Sequence, residues 1–136
     1  MNYDEFLGQV QNRARLASTG EAVRATRATL EVLGQRLFGG EADDLAAQLP
    51  HELQSYLKHT KPSESFVLGE FYRRVAEAEG VDYPQAVFHA RAVMSVLQDA
   101  VSRGEMEDIR AQLPDDYDDL FEFEVELPGP ERRARS

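Results

Sequence analysis

Residues 39–50 read GGEADDLAAQLP, and residues 103–114 read RGEMEDIRAQLP. The two phrases stand 64 positions apart and share Gly, Glu, Asp, Ala, Gln, Leu and Pro in the same order. Each reads as punctuation between helices. Gly39 and Gly40 can take the left-handed conformation without steric penalty, so a preceding helix is expected to end there. Glu41, Asp43 and Asp44 fall in the first turn of a short helix, where unpaired amides and the positive dipole end favour carboxylates. Leu45 and Leu49 point one way, as Ile109 and Leu113 do in the second copy. Pro50 cannot continue a helical ladder but suits the first turn of another short helix, HELQSYLKH.

Outward from the phrases the likeness continues. Aligned without gaps, residues 22–57 and 86–121 match at 13 of 36 positions. Replacements such as Leu30/Met94, Leu37/Val101 and Leu45/Ile109 keep their hydrophobic character. One extra residue before Ala86 restores the match of Phe6 with Phe71 and of Val10 with Val75. The chain therefore carries an internal duplication of about 64 residues. A unit that small is marginal alone, so the copies are expected to pack around one core, related by a pseudo-twofold axis.

Apolar residues recur at helical spacing almost throughout. Tyr3, Phe6, Leu7, Val10 and Ala14 form one stripe, preceded by the capping-box pair Asn2 and Glu5. A second helix is expected from about Ser18 or Thr19, carrying Val23, Thr26, Leu30, Leu33 and Leu37 inward. The pattern restarts with Val67, Leu68, Phe71, Tyr72 and Val75. Asp82, with Pro84 behind it, then opens a long helix with Val87, Val93, Met94, Leu97 and Val101 as its apolar positions.

The expected fold is all-α: two tandem repeats, each of two longer helices and one or two short ones, packed as one pseudo-twofold bundle. Repeat one spans about 2–60 and repeat two about 61–121, together a single domain over 1–121. Residues 122–136 form an acidic, aromatic and then basic tail. Within LFEFEVELP, Phe121, Phe123, Val125 and Leu127 alternate with three glutamates, the period of a half-buried strand. Those four apolar residues are the expected interaction segment, docking on the chain's own helices, on a second copy or on a partner, with a contact between two chains favoured. The final PGPERRARS is expected to be disordered.

The net charge is −10, and the acidity is local: residues 105–126 hold ten acids against Arg110 alone. Such a chain lacks the electrostatic footprint of a nucleic-acid binder. Arg13, Arg15, Arg24, Arg27 and Arg36 are scattered and read mostly as solvated helix faces. There is no cysteine, so no disulfide framework, thiolate zinc site or cysteine nucleophile exists. No apolar run reaches the roughly 18–20 residues of a membrane span. The opening MNYDEFLGQV is acidic and lacks the apolar core of a signal peptide, so a cytoplasmic location is expected.

With its duplicated phrase and the opening MNYDEFLGQV, the chain resembles the bacterial family called domain of unknown function 2267, over roughly residues 2–121. The resemblance implies an all-helical cytoplasmic domain and implies no activity. The acidic tail after Phe121 lies outside it.

Candidate sites are few. PHELQSYLKH fails the zinc pattern H-E-x-x-H, because position 55 is Ser55 and His59 lies eight residues after His51. DDYDD at 115–119 fails as a calcium loop, with Leu120 where the turn glycine belongs, and reads as a solvated acidic helix start. His89 stands where the first copy has Ala25 and reads as a helix-surface or packing histidine. Arg27 and Arg91 match between copies, as do Asp44 and Asp108. The structural reading is favoured over anion binding: each arginine pairs with its own copy's aspartate or with nearby helix-end carbonyls. Neither phosphate-loop motifs nor a nucleophile elbow is present.

The expected function is a non-catalytic interaction or adaptor module that binds another protein or itself, without cofactor, nucleic acid or membrane. The alternative is a small-molecule-binding regulatory domain with a pocket between the repeats. An enzyme using scattered carboxylates comes third.

Overall fold

The computed structural model describes residues 1–58 and 62–123. Its regular structure is entirely helical: α1 (Tyr3–Arg13), α2 (Thr19–Arg36), α3 (Glu41–Ala47), α4 (His51–Leu57), α5 (Leu68–Glu79), α6 (Tyr83–Ala100), α7 (Arg103–Ala111) and a 3₁₀ helix (Asp115–Phe121). No described residue lies in a strand. The bounds of α2 and α6 stand 64 positions apart at both ends, as do those of α4 and the 3₁₀ helix.

Local chemistry explains where the helices start. Asn2, Ser18 and Asp82 each accept from the backbone N–H three residues on, while Glu5, Glu21 and Gln85 reach back to complete capping boxes. Satisfying two otherwise unpaired amides this way stabilises a helix by about 1 kcal/mol. α5 has no such cap, since Val67 precedes it and is 63% exposed. Its first amide, Leu68 N–H, donates instead to Asp116 Oδ2 of the 3₁₀ helix at 2.8 Å.

The two phrases do not start their helices alike. α2 stops at Arg36, with Leu37 extended, so Gly39 and Gly40 are not its C-cap as the sequence suggested. Both glycines have positive φ (65° and 83°) and form the turn into α3. In the second copy Ser102 Oγ accepts from Glu105 N–H at 3.1 Å, so α7 starts at Arg103. Phe38, the counterpart of Ser102, has no oxygen to offer.

α2 and α6 form the centre, packing on each other and on α1 and α5. Their inner faces bury Leu30, Leu33, Val93, Met94 and Leu97, with Phe6, Val10, Phe71 and Val75 from α1 and α5. At Gly34 the chain of α4 comes so close that a Cβ would stand 2.5 Å from the Leu57 carbonyl oxygen.

Three expectations need correction. Arg36 is not a solvated cation but only 4% exposed: its Nε donates to the Phe66 carbonyl at 3.0 Å, and its guanidinium lies 5.4 Å from the Tyr117 ring centre. The DDYDD segment is not merely a solvated start. Tyr117 is buried and donates to the Phe66 carbonyl at 2.7 Å, and Asp119 accepts from the Tyr72 hydroxyl at 2.8 Å. Phe121 ends the 3₁₀ helix rather than starting a strand, because Leu120 beside it is drawn fully into the core. The Arg110 guanidinium lies 4.5 Å from the Phe121 ring centre, and Phe123 stands 5.8 Å from Phe88. Val125 and Leu127, and with them the expected tail strand and disordered end, lie outside the described residues.

Candidate functional site

The repeated phrases meet where α3 and α7 touch. Gln48 Oε1 accepts from Ser102 N–H at 2.7 Å. At the matching position Gln112 accepts from Phe38 N–H at 2.9 Å and donates to the Phe38 carbonyl at 3.0 Å. Each copy's glutamine thus holds the backbone that leads into the other copy's phrase.

This junction gathers acids. One carboxylate oxygen from each of Glu41, Glu105 and Asp108 lies within 4.8 Å of the others. Glu105 is 6% exposed, and its Oε2, like that of half-buried Glu41, is closed off from solvent with no donor group facing it. Burial first, then a hydrogen bond to the Glu41 carboxyl and the charges of Glu41, Asp44 and Asp108, push the Glu105 carboxyl up to about 8. The nearest arginines in sequence are engaged elsewhere, Arg103 with Glu107 and Arg110 with Asp118. Desolvation and like charge both disfavour a second carboxylate anion here, so the cluster needs a proton or a cation.

Asp44 and Asp108 therefore belong to an acidic cluster and not to arginine pairs. Arg27 pairs with Glu31 at 3.5 Å rather than with Asp44, and its guanidinium lies 5.7 Å from the Tyr56 ring centre. Arg91 donates to the Glu122 carbonyl at 2.8 Å and stands 3.8 Å from Asp119, rather than pairing with Asp108. Glu41 and Glu105 were not singled out as a pair from sequence. The signal was their identity in both phrases, the same signal that drew attention to Asp44 and Asp108.

A second site lies at the turns joining α1 to α2 and α5 to α6. His89 Nδ1 and Glu79 Oε2 are 2.5 Å apart, and both residues are buried. A carboxylate accepts at that distance, so Nδ1–H donates to Glu79 and Nε2 is left to face the cleft. The pair opens on a cleft of about 270 Å³, edged by Arg15, Arg24, Glu21 and Gln85. Arg15 holds a left-handed φ of 55° in the turn, an uncommon setting for a side chain with a Cβ. Arg24 is exposed. Sequence reasoning missed this pair because Glu79 and His89 sit on different helices, and only the Gly80 turn (φ 78°) folds them together.

A larger cleft of about 520 Å³ runs along α2, residues 62–64 and α5, but its arginines are already committed. Arg73 and Arg74 both hold Glu70, whose carboxyl their hydrogen bonds lower to about 2. His51 is exposed at the start of α4, and His59 lies outside the described residues.

Residues 3–120 match the model of a family described as Uncharacterized conserved protein (DUF2267). The chain belongs to the DUF2267 family. That match spans both phrases, the acidic junction and the His89–Glu79 cleft, and stops before Phe121. No curated protein matches this DUF2267 chain. Among its described residues no helix is long and apolar enough to cross a membrane.

Proposed function

We propose that this DUF2267 chain is a non-catalytic regulatory binding module that takes a small, polar, acid-bearing ligand in the cleft between the α1–α2 and α5–α6 turns. The buried His89–Glu79 pair carries the reading. Glu79 fixes the ring, so Nε2 meets a ligand hydroxyl as acceptor. Arg24 offers a planar fork to a carboxylate or phosphate at the rim. Placing the pocket between the copies assumes a pseudo-twofold bundle, a reading supported by the reciprocal bonds of Gln48 and Gln112.

The test is a melting-temperature screen of the full chain against small phosphorylated and carboxylated compounds. A ligand at 100 times its Kd stabilises by about 2.7 kcal/mol, a shift of several degrees. His89→Gln and Arg24→Ala abolish that shift if the cleft is the site. A shift that survives both substitutions rules the cleft out.

A second reading is an interaction module in the cytoplasm, docking another protein or a second copy. It is supported by the Phe88 ring, 38% exposed, beside Phe123 at the start of the tail. Phe88→Ala with Phe123→Ala then weakens any self-association seen in sedimentation. A wild-type chain that sediments as a monomer at all concentrations removes the self-docking version.

A further inference from the structure

Two copies of one phrase bring three carboxylates to a point, and the pocket proposed above leaves them unexplained. The oxygens of Glu41, Glu105 and Asp108 lie within 4.8 Å of one another, contributed by two different helices. An acidic cluster on a surface means little by itself, because water and counter-ions solvate it. Here the Oε2 atoms of Glu105 and Glu41 are both enclosed with no N–H or O–H donor among the described residues facing them, and the Glu105 carboxyl lies against that of Glu41. Glu105 is 94% withdrawn from solvent, given its 6% exposure. A buried polar atom without a partner costs about 1–3 kcal/mol, more when charged, and calls for an explanation such as an ion.

We propose that Glu41, Glu105 and Asp108 form a binding site for a hard divalent cation, clamping α3 to α7. The donor set is all oxygen and lacks imidazole or thiolate, which suits calcium, manganese or magnesium rather than zinc or copper. Calcium accepts a flexible shell of oxygens, whereas magnesium demands near-ideal octahedral geometry and dehydrates reluctantly, so three carboxylates held on two helices favour calcium over magnesium. No arginine, lysine or histidine among the described residues forms an ion pair with these three carboxylates. The scaffold is already braced on both sides by the Gln48–Ser102 and Gln112–Phe38 hydrogen bonds, so binding need not order the junction.

The full chain, freed of metal with a chelator, is titrated with calcium chloride at about pH 8.5 and about 0.15 M potassium chloride, where bulk charge effects are screened. Magnesium and manganese chlorides are run alongside, with heat and melting temperature as readouts. The expected result is saturable binding of one calcium per chain with a rise in melting temperature. Manganese binds comparably, and magnesium more weakly. Glu105→Gln and, separately, Glu41→Gln weaken calcium by about tenfold or more, since ligand charge count sets affinity at such sites. Glu107→Gln, next to Asp108 in sequence but exposed and paired with Arg103, leaves the titration unchanged. The melting temperature of each metal-free variant verifies its fold, and either variant alone suffices. No saturable signal from any of the three cations overturns the proposal. So does a Glu105→Gln or Glu41→Gln protein that folds and titrates like the wild type, because the wild-type signal then reflects only diffuse charge screening.

Discussion

Glu41 and Glu105, written 64 residues apart at the same place in a repeated phrase, meet carboxyl to carboxyl between α3 and α7. That meeting sets a pH dependence in the metal-free protein. The Glu105 carboxyl is raised to about 8 from an ordinary 4.5, so between those values the folded chain holds a proton that the unfolded chain releases. Stability from this group is full below about pH 4.5 and is lost as pH rises through about 8. Glu105→Gln, neutral at every pH, is expected to flatten that decline and to exceed the wild type at pH 9 by something on the order of 1–2 kcal/mol. Urea midpoints at pH 5, 7 and 9 decide it. Parallel wild-type and variant curves would show that Glu105 titrates normally.

Asp116 supplies a cap that α5 lacks in its own sequence. Asp116→Ala leaves the Leu68 amide without its acceptor and is expected to cost about 1 kcal/mol, as loss of an ordinary N-cap does. Asp116→Asn keeps an acceptor oxygen and should cost less. Thermal denaturation of the pair ranks them, and equal losses would mean the charge, not the hydrogen bond, matters.

Gln112 makes two hydrogen bonds to Phe38, whereas Gln48 makes one to Ser102. Both lie near the surface, so each bond contributes at the low end of about 0.5–1.5 kcal/mol. Gln112→Ala is therefore expected to destabilise more than Gln48→Ala in chemical denaturation. The reverse order would contradict the geometry of the junction.

Gly34 has no room for a side chain. A Cβ there meets the Leu57 carbonyl oxygen at 2.5 Å, and the obstacle is backbone rather than a movable side-chain tip. Gly34→Ala gains helix propensity of about 1 kcal/mol but forces α4 away from α2, a shift that costs about 1–3 kcal/mol. Net destabilisation is the expected outcome by differential scanning calorimetry. A neutral or stabilised variant would mean that α4 moves freely.

Some of this was legible in the chain itself. Helical period, capping pairs such as Ser18 with Glu21 and the repeated phrase are short-range facts, because a helix is written in neighbours three and four residues apart. They determined the all-helical class and the starts of α1, α2 and α6. They did not determine which charged groups meet. Arg27 found Glu31 one turn away instead of Asp44, and Arg36 found a carbonyl and aromatic rings under the linker. His89 found Glu79 across a glycine turn, and Glu41 found Glu105 across the junction of α3 and α7. Charge pairing depends on the angle and distance at which helices pack, and those follow from how whole apolar faces fit together. The sequence therefore determined the helices and the repeated phrase, and the tertiary structure alone decided which of their polar residues share a site.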